Sequence, residues 1–504
     1  MARTLDQLVF NNSFSQLPAS FYTAVTPQPL NDPFLVSFNP HVCQLLELNT
    51  KDVATDRFAQ IFTGNLPHPS FTPLAMKYTG HQFGQYNPDL GDGRGVLLGE
   101  VVTSSGAKWD LHLKGSGLTP YSRQGDGRAV LRSSIREYLA SAAMAGLGIK
   151  TTHALAILSS TTPVYREKVE QGATLIRVAE SHIRFGHFEY LFYTQKHGDL
   201  KLLADYVIEH HFPDLQTHPA PYAAMYQNII ELTATLIADW QSVGFAHGVM
   251  NTDNMSILGL TFDYGPYGFL DDYNPNYICN HSDYSGRYAF NQQPSIALWN
   301  LAALGYALSP LIESDAANAI LDTFEPQLQT AYSKNMRAKL GLITYNDQDG
   351  YLFKNLFNCL TALQLDYTLF FRTLSAISVT DIASNTTALL AASSTNKYHS
   401  NENQAQLATW LTQYQQRVIQ ELDETNISSS DAERLTKMLA TNPKFILRNY
   451  LAQLAIQEAE QGDYSRIESL MEVLTSPFDE HQNYQAMAQL PPEWGKTLTI
   501  SCSS

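Results

Sequence analysis

The sequence predicts an α+β chain in two parts, β-rich in the first half and helical in the second. Three observations carry this. The segments 96–102 and 109–114 read as strands, because Trp109, Leu111 and Leu113 alternate with polar positions and Ser104-Ser105-Gly106 between the segments suits a hairpin turn. Apolar residues at helical spacing over 129–145 (Val130, Ile135, Tyr138, Leu139, Ala142) predict one long helix within this half, ended by Gly146 and Gly148. From about residue 220 the pattern is helical over 222–243, 294–312, 355–377, 405–424 and 430–459. A polar, Asp-rich stretch at 246–292 interrupts it, and 383–402, rich in Ser, Thr and Asn, reads as a surface loop. The expected division is an N-terminal extension over 1–70, a β-rich lobe over 71–200, a helical lobe over 201–380 and a C-terminal helical extension with a tail over 381–504.

Composition limits the function. The 504 residues are 44% apolar and 16% charged, enough to bury a large core. The formal charge of −16 gives no general footprint for nucleic acid or an anionic membrane. No run of about 18 apolar residues marks a membrane span, and the N-terminus lacks the basic-then-apolar pattern of a leader. The expected location is the cytoplasm. Cys43, Cys279, Cys359 and Cys502 are too few and too scattered for a disulfide scaffold or a zinc knuckle. Cys502 stands apart, three residues from the end.

Five clusters carry chemistry. Gly91-Asp92-Gly93-Arg94 precedes the first strand and would let backbone N–H groups approach a phosphate; alone it reads as a tight turn. Lys114 ends the second strand and Glu137 lies in the long helix. Protein kinases use this layout to aim an ammonium at nucleotide phosphates. A second tetrad, Gly125-Asp126-Gly127-Arg128, is expected to open that helix and offer its N-terminus to an anion, or to cap it through Asp126. Arg177 and Arg184 would share a face if their segment were helical; surface arginines are the plainer reading. The most specific cluster is His247, Asp253 and Asn254 followed by Asp263-Tyr264-Gly265. It keeps the order and spacing of a kinase catalytic loop and metal-binding Asp-Phe-Gly. Asn254 and Asp263 supply hard oxygen ligands suited to Mg²⁺. Val249 stands where a kinase has its catalytic Asp, and Asp253 is the nearest carboxylate that could replace it or hold metal. Together these predict a protein-kinase-like bilobal fold.

The chain resembles the selenoprotein O (SelO/YdiU) family of protein adenylyltransferase pseudokinases. The resemblance spans nearly its whole length: Tyr78-Thr79-Gly80-His81-Gln82-Phe83-Gly84, 113–128, 180–187, 247–265, Asp271-Asp272-Tyr273, Arg287-Tyr288 and the Cys502-Ser503-Ser504 end. It implies transfer of AMP from ATP, bound flipped relative to kinases, to Ser, Thr or Tyr hydroxyls of proteins. It also implies that Gly91, Gly93, Arg94, Lys114, Asp126, Gly127, Arg177, Arg184 and Asp263 hold the nucleotide. Asn254 and Asp263 would ligate Mg²⁺ or Mn²⁺, Asp253 would accept the proton, and Glu137 would orient Lys114. The family link is to redox homeostasis, many relatives carry selenocysteine where this chain has Cys502, and a tail disulfide would map to Cys279 and Cys502. Phosphoryl transfer with Asp253 as base, UMP transfer with Mn²⁺, and an inactive ATP-binding scaffold remain open, as does the oligomeric state, with a monomer compatible.

Overall fold

The computed structural model describes residues 2–393, 395, 397–424 and 430–500. Its centre is a nine-stranded sheet. Strands β1 (Val9–Phe10), β2 (Tyr22–Ala24) and β3 (Phe34–Phe38) come from the first forty residues, and β4 is Leu74–Met76. A small separate hairpin follows, β5 (Gly80–Gln82) and β6 (Gln85–Asn87). The sheet continues with β7 (Gly95–Val102), β8 (Lys108–Lys114), β9 (Ala129–Val130), β10 (His153–Tyr165) and β11 (Val169–Ala179). Its main path runs β2-β4-β7-β8-β11-β10-β3, antiparallel throughout, with β1 on β7 and β9 on β11.

The alternation read from the sequence sorts the two faces. Leu111 and Leu113 on β8, Val96 and Leu98 on β7, and Ile176 and Val178 on β11 pack in one core with Val42, Phe58 and Phe62 of the N-terminal helices. The interleaved positions point the other way, because a strand repeats every two residues. Register pairs Arg177 with His112 and Leu175 with Lys114, so Lys114, His112 and Arg177 share that second face. The second face meets α1 (Leu131–Gly146), which buries Ile135, Tyr138 and Leu139.

Several expectations need correction. Helix α1 starts at Leu131 after the short strand β9, with no side-chain cap. The second Gly-Asp-Gly-Arg tetrad therefore neither opens nor caps it. Gly148, at φ +77°, takes the left-handed turn after α1, while Gly146 is still helical. Arg177 lies on β11 and Arg184 is the residue before α2 (Phe185–Tyr193), so they share no helix face. The helical part begins at 185 rather than 220. The segment 355–377 splits into Asp349–Leu363 and Tyr367–Leu374, because Gln364 turns left-handed (φ +50°) and Asp366 caps the second helix by accepting from Leu369 N. The segment 430–459 splits at Asn442, which precedes a proline and is extended. Residues 386–390, expected in a loop, form a short helix that buries Leu389.

Helix α3 (Pro221–Val243) ends on Gly244 in the left-handed conformation. The chain then forms β12 (Phe245–Ala246), which pairs with β13 (Gly268–Phe269). This two-stranded ladder closes the polar stretch 247–267 at its base and fixes it beside α1 and β11. Among the described residues no helix is long and apolar enough to cross a membrane.

One buried cation serves none of this. Lys339 is 4% exposed, and its ammonium sits 4.2 Å from the Phe371 ring centroid and 5.2 Å from that of Tyr367. Burial pulls it down to about 7. The unfolded chain holds that proton to about pH 10.4, so the folded state gains stability as pH rises from 7 toward 10. Lys339→Met is expected to raise the melting temperature at pH 7 and to remove this slope, as read by thermal denaturation of both proteins across that range.

Candidate active site

The sheet's second face, the 247–267 loop and the two glycine tetrads enclose a cleft of about 410 Å³. Seven basic side chains line it, Arg94, Lys114, Arg123, Arg128, Arg166, Arg177 and Arg184, against Asp92, Asp126 and Asp263. A chain of net charge −16 has concentrated its cations here, the arrangement that captures a polyanion.

The floor is a run of alternating charges. Lys114 Nζ bonds Glu137 Oε2, and Glu137 Oε1 accepts from Arg177 Nε at 2.5 Å. Arg177 and Arg184 then hold the two oxygens of Asp263, each at 2.6 Å. The expected Lys–Glu pair is present, and Glu137 also carries Arg177, which the spacing did not reveal. Lys114, Arg177 and Arg184 are nearly inaccessible, whereas Arg94 and Asp126 lie exposed at the rim. Burial, with the Arg94 and Arg177 charges adding to it, pulls Lys114 down to about 8 against the opposing pull of Glu137. Burial pushes Asp263 up, but Arg177, Arg184 and Lys114 outweigh it and hold the carboxyl well below its ordinary range. Glu137 is held low by the same cations, Arg177 and Lys114, against burial.

The glycine loops are stacked on each other. Thr119 Oγ1 donates to Asp92 O at 2.7 Å and Ser122 Oγ to Gly93 O, so the first tetrad rests on the segment before the second. A side chain at Gly91 would stand 2.7 Å from the Tyr121 ring, and one at Gly127 would stand 2.0 Å from Gly117 O. Only glycine allows these approaches. Asp126 pairs with Arg166 at 2.7 Å and accepts from Arg128 N at 2.9 Å. Arg166 sits at the end of the β10–β11 hairpin and was not expected in the site.

Asp253, on the 247–267 loop, meets this floor through Arg184 but does not itself line the cleft, whereas Asn254 and Asp263 do. The Asp253 backbone oxygen accepts from Arg184 at 2.8 Å, Oδ2 accepts from Gln82 Nε2 at 3.3 Å, and Oδ1 is buried with no partner. Burial pushes the carboxyl up to about 7, with Arg184 pulling the other way. Next to it, Asn254 Nδ2 donates to Val249 O at 3.0 Å. That bond fixes the amide so that Oδ1 is the end available to a cation. Among the described residues no group of three or more His, Cys, Asp and Glu side chains is placed to hold a metal. One amide oxygen and one carboxylate, completed by phosphate oxygens, is the kind of set Mg²⁺ accepts. His247 anchors the loop from below, with Nε2 donating to Phe262 O at 2.6 Å and the ring stacked on Trp240.

The support for Asp253 comes from residues with no role legible in the sequence. Hairpin β5–β6 lies against the 252–254 turn: His81 N donates to Thr252 Oγ1 at 2.7 Å, and Glu189, fully buried on α2, bonds His81 at 2.5 Å and Thr252. Tyr78 lies under the Arg184 guanidinium at 4.6 Å. The Tyr78–Gly84 motif was the available signal, but 171 residues separate Gln82 from Asp253, and no local pattern links them.

The model of the family described as protein adenylyltransferase SelO matches residues 4–475. The chain belongs to the SelO family. Among SelO relatives, a protein named protein nucleotidyltransferase YdiU from Photobacterium profundum is 63% identical, with 100% of both chains covered. Proteins of the same name from Vibrio vulnificus (strain CMCP6) and Vibrio cholerae serotype O1 are 54% and 53% identical, covering 98% and 97% of this chain and 98% of each relative. Membership of the SelO family places the chain among nucleotidyltransferases. Cys279 is buried against Gly248, where an added Cβ would meet its Sγ at 2.5 Å. Cys502 lies outside the described residues, and so does any pairing between the two.

Proposed function

We propose that this chain transfers AMP from ATP to Ser, Thr or Tyr hydroxyls of proteins and releases pyrophosphate, within a protein-kinase-like bilobal fold of lobes 71–200 and 201–380. The observation that carries this reading is the split between the buried cations and the buried base. Lys114, Arg177 and Arg184 gather on one floor, while Asp253, joined to that floor through Arg184, keeps a buried oxygen without a hydrogen-bond partner. Terminal phosphates seated on the cations would leave the α-phosphorus for the acceptor. Which phosphorus reacts is set by which one lies in line with the nucleophile.

In this reading Gly91, Gly93, Arg94, Asp126 and Gly127 hold the nucleotide at the rim. Asn254 and Asp263 would hold Mg²⁺ or Mn²⁺, which supplies positive charge to the phosphates. The acceptor hydroxyl attacks the α-phosphorus, its proton passes to Asp253 Oδ1, and the bond from the α-phosphorus to the bridging oxygen breaks. Lys114, Arg177 and Arg184 take up the charge of the departing pyrophosphate. Glu137 keeps Lys114 and Arg177 aimed. Val249, where a kinase has its base, cannot accept a proton, so the base must come from elsewhere on the loop.

The test incubates the protein and a hydroxyl acceptor with α-labelled or γ-labelled ATP and Mg²⁺ or Mn²⁺, with α-labelled UTP in parallel. Label from the α position is expected on protein, with an intact mass raised by AMP. Label from the γ position alone would mean a kinase that uses Asp253, and no label with intact nucleotide binding would mean a scaffold.

A further inference from the structure

The transfer reaction gives Arg287 and Tyr288 no part. The Arg287 guanidinium lies 5.1 Å from the Trp299 ring centroid and 5.8 Å from that of Tyr288. Its Nε is buried without a hydrogen-bond partner, and among the described residues no carboxylate forms an ion pair with it. Asp283, four residues earlier, is occupied by the backbone amides of Arg287 (3.0 Å) and Tyr288 (2.7 Å). Arg287 lines a separate pocket of about 570 Å³ with Phe83, Asn276, Ile278 and Ser285. Phe83 and Ile278 are 44% and 43% exposed there, and Tyr284 nearby is 91% exposed.

This pocket is tied to the base by one short hairpin. Gln82 bonds Asp253, and Gly84, two residues on, lies so close to Arg287 that an added Cβ would stand 3.3 Å from the guanidinium. Phe83 N between them donates to Tyr288 Oη at 2.9 Å, and that hydroxyl donates to Asn251 Oδ1 at 2.6 Å, two residues before Asp253. Two residues of chain reach at most about 7 Å. We propose that the Arg287 pocket binds an acidic side chain of the acceptor protein, a few residues from the hydroxyl that reaches Asp253. The exposed Phe83 and Ile278 receive the apolar flank of that segment. Pairing with a guanidinium backed by an aromatic face gives both charge and planar geometry for a carboxylate. This rests on the proposed hydroxyl transfer for its acceptor, but the binding step does not depend on which phosphorus reacts.

The experiment measures binding of peptides that share one Thr and differ only at a flanking position, Asp, Ala or Lys, to the full chain with ATP and Mg²⁺, by fluorescence anisotropy. Labelling of the same peptides from α- and γ-labelled ATP is scored alongside. The wild type is expected to bind the Asp peptide about tenfold more tightly than the Lys peptide. Arg287→Gln should abolish the preference and Arg287→Glu reverse it, with ATP binding of both variants unchanged by thermal shift. Equal binding of the three peptides by the wild type, or a preference that survives in Arg287→Gln, overturns the proposal. Failure of AMP transfer would show separately, as absence of α-label while the binding preference persists.

Discussion

Asp253→Ala is expected to lower kcat by ~10²–10⁴-fold, the range for loss of a general base, with ATP affinity unchanged. The residue's carboxylate contacts neither Lys114 nor Glu137, so the cation floor that would hold the nucleotide is left in place. The pH profile gives an independent readout. A carboxyl held near 7 by burial accepts a proton only above that pH. kcat/KM should therefore rise as pH passes about 7. It should fall again as pH passes about 8, where Lys114 in the free enzyme gives up its charge. Bound triphosphate favours the charged ammonium, so the basic limb of kcat should lie at higher pH than that of kcat/KM. A profile with no acid limb near 7 in the wild type, or one retained in Asp253→Ala, would remove Asp253 as the base.

Asp263→Asn is expected to have an effect of similar size through a different route. The wild-type carboxylate neutralises Arg177 and Arg184 and is the only charged ligand in the candidate metal set. The isosteric amide keeps the volume and removes the charge. Turnover should drop on the order of 10³-fold, the scale seen when a preorganised electrostatic contact to the transition state is lost. Metal-free ATP binding should strengthen, because Arg184 loses its carboxylate partner, Arg177 keeps only Glu137, and phosphate oxygens take the place of Asp263. Added Mg²⁺ should no longer improve binding. Titration calorimetry with and without chelator separates these effects; metal-dependent ATP binding equal to wild type would show that Asp263 holds no metal.

What the sequence made legible follows the range of the interactions. The β7–β8 hairpin was readable because its alternation and turn are local. So were Lys114 and Glu137, and the loop from His247 to Asp263, because spacing carries their meaning. Arg177 and Arg184 are legible as candidates but not as neighbours, since one lies in a strand and the other just before a helix, and only tertiary structure brings them to the same carboxylate. Asp126 was expected at a helix start and instead pairs with Arg166 across the β10–β11 hairpin. Gln82, His81 and Glu189 were invisible in function because their partners lie on the 252–253 turn, far along the chain. The split of the 355–377 helix turned on Gln364, a residue with no special liking for left-handed backbone.

The most direct test is a structure of the chain with a non-hydrolysable ATP analogue and Mg²⁺. The α-phosphorus should lie nearest Asp253 Oδ1, with the terminal phosphates on Lys114, Arg177 and Arg184. A γ-phosphorus facing Asp253, with the α-phosphate on those three cations, would contradict nucleotidyl transfer by this site.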